Sequence, residues 1–106
     1  MRSGITELTV GHLYELPFYE DKAKSLSIQF IEKANGEGDT LTTVNDGITS
    51  EQLLEVVEAR QKHFCGHSCN CPENDEALFH IQEALRLLEK RVKDRIVRGV
   101  YGTQNA

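Results

Sequence analysis

Six apolar residues, Leu78, Ile81, Leu85, Leu88, Val92 and Ile96, recur at steps of three and four through an otherwise polar stretch. Side chains at that spacing share one face of an α-helix. The stretch carries a start signal in Asn70-Cys71-Pro72-Glu73: Asn70 can cap, Pro72 suits a first turn, and Glu73 completes the box. Gly99 supplies the stop, behind basic residues that favour the negative end of the helix dipole. The pattern predicts a helix of about 26 residues, roughly 40 Å long at 1.5 Å per residue.

A second, shorter helix precedes it. In ITSEQLLEVVEARQKHF, Thr49-x-x-Gln52 forms a capping box, and Leu53, Leu54, Val57, Arg60 and Phe64 follow at helical spacing. This helix is expected over residues 50–64. It is too short to cover its neighbour, so half of the long apolar stripe has no partner within the chain. A chain of 106 residues also buries a modest share of its surface. Both arguments predict a homo-oligomer.

The first 45 residues lack helical periodicity. ITELTV, HLYEL, LSIQFIE and TLTTV are short β-type runs, and Leu26, Ile28 and Phe30 alternate with polar residues. NGEGD, residues 35–39, has the glycines of a hairpin loop. The expected fold class is therefore α+β, a small N-terminal antiparallel sheet followed by a helical hairpin. The β-rich segment, residues 1–46, is expected to pack on the hairpin, residues 47–106, as one compact unit. No internal repeat and no low-complexity segment interrupts the chain.

Charge narrows the partners. The net charge is −5, which argues against long nucleic acid and anionic membranes. Yet the distribution is uneven: residues 1–85 hold six Lys/Arg against fifteen Asp/Glu, and residues 86–98 hold six against two. Arg91, Arg95 and Arg98 stand at i, i+4 and i+7, on a face distinct from the apolar stripe. Guanidinium groups bind phosphate bidentately and stack on aromatic rings. One compact basic segment on an acidic chain fits a small anion; a solvated helix end, salt-bridged to Glu89 and Asp94, fits as well. No apolar run reaches the ~20 residues of a membrane span. MRSGITELTV lacks the apolar core of a secretory leader, so none is expected.

All three cysteines fall in FCGHSCNCPEN, residues 64–74. An odd, clustered set reads as reduced thiols or a metal site rather than a disulfide framework. Cys65, His67, Cys69 and Cys71 alternate with single residues, and His63 is a substitute ligand. Zinc usually takes Cys and His in more widely spaced pairs, so the stretch reads first as a reduced interhelical loop, with zinc as the alternative. No catalytic constellation appears beyond a thiolate near His63 or His67, and the protein is expected to be no enzyme and to need no cofactor.

PENDEALFHIQEALRLLEKRVKDRIVRGVYGT resembles the helical hairpin of two related groups of phage proteins, the Thoeris anti-defence sponges and the anti-CBASS sponges. Their hairpin reads approximately R-E-N-A-x-A-L-x-x-L-x-E-A-L-x-W-L-x-x-R-T-x-x-R-x-x-R-G-V-E-G-T, after a T-N-E-x-x-L-x-x-V-x-x-R-L-x-x-F helix. The likeness covers residues 47–103 and, more loosely, the β segment, which favours the Thoeris branch. It implies a sponge: a protein that binds cyclic ADP-ribose-type immune signals without cleaving them, so that the Thoeris effector stays inactive. It further implies pockets at subunit interfaces, homo-oligomers built from dimers and reaching hexamers, and a place in the cytoplasm of the infected bacterium. Two alternatives remain: sequestration of CBASS cyclic di- or trinucleotides, and a metal-stabilised hairpin adaptor for a protein partner.

Matched position by position, the resemblance makes Phe64 a stacking residue, Asn74 a hydrogen-bonding residue, and Arg91 and Arg95 phosphate contacts, with Arg98 beside them. Gly99 and Gly102 would let backbone approach the ligand, and Thr103 would offer a hydroxyl. This sequence departs from the pattern at Pro72 for Arg, Leu87 for Trp, Val92 for Thr and Tyr101 for Glu. Loss of the Thr bears most on a separate cyclic-oligonucleotide site, and the cysteine loop lies outside the pattern.

Overall fold

A computed structural model of the chain describes residues 2–67 and 71–103. Five short antiparallel strands are followed by two helices, the second one long, an α+β layout. The chain divides between Thr49 and Ser50 into two compact units.

In the first unit, β1 (Thr6–Thr9), β2 (Leu13–Pro17) and β3 (Ser25–Gln29) form a three-stranded meander. β4 (Glu32–Asn35) and β5 (Leu41–Asn45) form a separate hairpin, so the single sheet expected is two. The cause lies after Gln29. The Phe30 amide still donates to the β2-edge carbonyl of His12 at 2.7 Å, but the Ile31 amide donates to Ile48 at 2.9 Å. LSIQFIE therefore changes partners halfway and is not one strand. The Ile48 amide in turn donates to Gln29 O, drawing Gly47 against that backbone. A Cβ at Gly47 would lie within 2.8 Å of the carbonyl carbons of Gln29 and Phe30, so only glycine fits.

The meander is held by cross-strand pairs of the usual kind. Glu7 stands opposite Tyr14, whose hydroxyl bond to it, with the Gly11 amide, lowers the Glu7 carboxyl below its ordinary pKa. Tyr14 meets Phe30 edge to face at 5.9 Å.

The second unit is the helical hairpin. α1 spans Ser50–Cys65 and α2 spans Pro72–Val97. The N-cap of α2 is Cys71, whose extended backbone presents its carbonyl to the amides of Asn74 (3.0 Å) and Asp75 (3.4 Å). The box expected to begin at Asn70 is thus displaced by one residue, and Asn70 itself lies outside the described residues. Pro72 explains the choice, since its missing N–H leaves no loss at the first turn. At the far end Gly99, at φ +72°, closes a Schellman motif: its amide donates to Ile96 and the Val100 amide to Arg95, both at 3.0 Å.

The inward face of α2 runs Cys71, Asn74, Leu78, Ile81, Leu85, Leu88, Val92, Arg95, all shielded from solvent in part or more. Steps of three and four throughout make this a 3.5-residue repeat, the seam of a coiled coil. Leu85, 6% exposed, is the one buried apolar side chain among the described residues. Ile96 was expected to end the stripe but is exposed, and Arg95 occupies that place. On α1 the inward residues are Leu53, Leu54, Glu58, Gln61 and Cys65. The expected continuation through Val57, Arg60 and Phe64 instead faces outward.

Candidate functional site

The predicted site residues gather at two ends of the hairpin. Phe64 and Asn74 lie at the loop end, one on each helix. Arg91, Arg95, Arg98, Gly99, Gly102 and Thr103 lie at the other end of α2 and in the turn after it. Asn74 and Arg91 are separated by seventeen helical positions, or about 26 Å along the axis at 1.5 Å per residue. One copy of the hairpin does not bring the two groups together.

At the loop end, the twist of α1 that turns Gln61 and Cys65 inward leaves Phe64 at the surface, 37% exposed. Its ring is not bare. The Arg60 guanidinium sits 4.9 Å from its centroid, and the His63 ring meets it edge to face at 5.5 Å. No carboxylate pairs with Arg60 among the described residues, so its charge rests on the aromatic face. His63 and His67 approach through their Nε2 atoms at 3.0 Å. Asn74 is half-buried and held by Gln61, whose Nε2 donates to the Asn74 carbonyl at 3.2 Å and to its Oδ1 at 3.0 Å. Gln61 is the residue that sequence reasoning passed over, because only the packing of α1 on α2 gives it a partner in Asn74. Arg60, expected on the inward stripe, instead reaches Phe64 four positions on along α1 itself.

Between these groups lie the thiols. Cys65 and Cys71 are free and half-buried. Burial, followed by the hydrogen bond to the Asp75 side chain, raises the Cys65 thiol above its ordinary pKa. That shift disfavours the thiolate, the form needed by a nucleophile or a metal ligand. Among the described residues no group of three or more His, Cys, Asp or Glu side chains could hold a metal ion. Of the zinc set considered above, Cys69 falls outside the described residues.

The opposite end divides its arginines by role. Arg95 points back under the turn and donates to the carbonyls of Val100 and Thr103, both at 3.1 Å. Val100 O also accepts the Thr103 amide at 3.1 Å and the Thr103 hydroxyl at 2.6 Å, a three-donor hub. Gly102, at φ +81°, sits third in that turn, where type II geometry demands positive φ. Added Cβ atoms at Gly99 and Gly102 would meet nothing within 4 Å, so backbone conformation explains these glycines without a ligand. Arg91 is exposed, and neither Glu89 nor Asp94 forms an ion pair with it among the described residues. The salt-bridged helix end considered above is absent at this position.

No protein-family model matches the chain. It is 40% identical over 58 residues to Thoeris anti-defense 1 of Bacillus phage SBSphiJ7. The resemblance is to the Thoeris anti-defence family. The match takes in 55% of this chain and 41% of the phage protein, so the chain spans about two fifths of that relative's length. The unit Ser50–Ala106 carries every site residue named above. No described helix is long and apolar enough to cross a membrane.

Proposed function

We propose that this chain is a phage anti-defence sponge of the Thoeris type, which binds glycocyclic ADP-ribose signals intact and keeps them from their effector. The similarity to Thoeris anti-defense 1 carries the reading. The chemistry of the two ends supports it. A cyclic ADP-ribose offers an adenine to stack, ribose hydroxyls and ring nitrogens to hydrogen-bond, and a diphosphate to neutralise. Phe64 provides a ring backed by Arg60, Asn74 provides an amide, and Arg91 provides a guanidinium without an internal carboxylate.

Because the two ends of one hairpin stand about 26 Å apart, a ligand spanning both kinds of group must take them from different copies. On this reading the pocket lies at a subunit interface of a homo-oligomer built from dimers, and the protein acts in the cytoplasm of the infected bacterium. Arg95 pins the turn that follows Arg91 and sets its backbone. Tight holding without turnover needs no nucleophile, and the raised Cys65 thiol suits that role.

The test is incubation of the purified chain with each glycocyclic ADP-ribose isomer, followed by heating and mass analysis of what is released. Recovery of an unaltered signal, withheld before heating from a Thoeris effector, is the expected result. Cleaved product, or no retention of any isomer, would overturn the sponge reading. The separate cationic end also favours a second test ligand class, the cyclic di- and trinucleotides of CBASS systems, which the same release assay distinguishes.

A further inference from the structure

Asn74 is an amide with one end occupied. Its Oδ1 accepts from Gln61 Nε2 at 3.0 Å, and the same Nε2 holds the Asn74 carbonyl at 3.2 Å. No described residue accepts from Asn74 Nδ2. A carboxamide rotates by half a turn to suit its neighbours, so the donor that grips its oxygen also decides what it shows to a ligand. With the oxygen engaged, the NH2 group is the part left to bind.

We propose that Gln61 is a positioning residue of the ligand site: it locks Asn74 with its NH2 outward, so that this position selects a hydrogen-bond acceptor, such as a phosphoryl oxygen or an unprotonated ring nitrogen. The inference rests on the sponge reading for the identity of the ligand. Three observations carry it. Gln61 lies on the inward face of α1, half-buried, where an uncharged amide costs least when both its partners are fixed. Its two bonds reach the first turn of α2, already anchored by the Asn74 amide on Cys71 O at 3.0 Å. Asn74 is thus fixed at backbone and side chain, the preorganisation that removes ordering cost from binding. Neighbouring Arg60 covers Phe64, so consecutive α1 residues prepare the two ligand-facing groups of this end.

The experiment is a double-mutant cycle on the full chain, read by calorimetric titration with glycocyclic ADP-ribose. Gln61→Met keeps the side-chain length and removes the donor. It is expected to weaken binding about tenfold, the effect of roughly one hydrogen bond. In the Asn74→Ala background the same change is expected to do nothing further, because Gln61 acts only through that amide. Melting temperature and oligomer size, measured for each variant, separate loss of fold from loss of positioning. Should Met unfold the hairpin, Gln61→Glu serves: of nearly the same shape, it draws the Asn74 NH2 inward and is expected to weaken binding further. Normal binding by the Gln61 variants, or full multiplicative loss in the double variant, overturns the inference and leaves the sponge reading intact. Absence of binding by the unsubstituted chain overturns both.

Discussion

On the proposed reading, Phe64 and Arg91 are the side chains given to binding rather than to structure. Neither is needed to close the hairpin: Phe64 faces out of α1, and Arg91 has no ion-pair partner among the described residues. Phe64→Ala and Arg91→Ala are therefore each expected to weaken signal binding tenfold or more, one charge-assisted or stacking contact's worth, without changing oligomer size by light scattering. Normal titrations in both variants would move the site elsewhere. Cys65 gives a second residue-level expectation. Its raised pKa means that the folded state favours the neutral thiol, so this contribution to stability is complete below the ordinary thiol range and fades as pH rises through the raised value. Thiolate absorbance in a Cys69→Ser, Cys71→Ser variant should rise at higher pH folded than in denaturant; coincident curves would contradict the assigned environment.

Among the elements, α2 is legible from both ends and the sheets are not. Pro72 begins the helix and Gly99 ends it through local backbone chemistry, and those signals lie within a few residues of the boundaries they set. Gly99→Ala should destabilise the hairpin by about 1 kcal/mol, because a Cβ strains the left-handed conformation even in open space. At Gly47 the obstacle is steric instead. Gly47→Ala should cost about 2 kcal/mol or more through overpacking against Gln29 and Phe30. Urea melts of both variants check the two figures; equal, negligible shifts would mean that neither turn constrains the fold. The sheet boundary at Phe30–Ile31 escaped the sequence because no turn residue marks it: alternation stops there, with Phe30 and Ile31 adjacent, but LSIQFIE contains neither glycine nor proline. The break comes from hydrogen bonds to His12 and Ile48, residues far away in the chain.

At the scale of the molecule, the decisive quantities are that Leu85 alone is buried among the described residues and that the two halves of the proposed site stand apart. Val56, Phe79, Leu87 and Val97 remain exposed on the hairpin, Val97 at 86%. These side chains lie off the α1-facing seam, and in the proposed oligomer they are the apolar surface that another chain covers. Val97→Asp, a charge on that apolar surface, should shift the protein toward smaller species in light scattering; an unchanged mass would place the interface elsewhere. If the pocket draws on two copies, co-refolding the Phe64→Ala and Arg91→Ala chains should restore part of the binding each lacks alone. No recovery would confine the site to one protomer.

The helices, their boundaries and the α+β class followed from the sequence, because capping, proline, glycine and apolar periodicity act over a few residues. The seam was legible too, except at its last position, where Arg95 replaces Ile96 once its guanidinium finds the carbonyls of Val100 and Thr103. Tertiary structure decided what lies at a distance. It turned Gln61 and Cys65 inward and Phe64 outward, since a helix face is chosen by what packs against it. It also set the aromatic–amide end and the cationic end of the hairpin apart, because a stiff helix carries the seventeen positions from Asn74 to Arg91 as length rather than as a fold back.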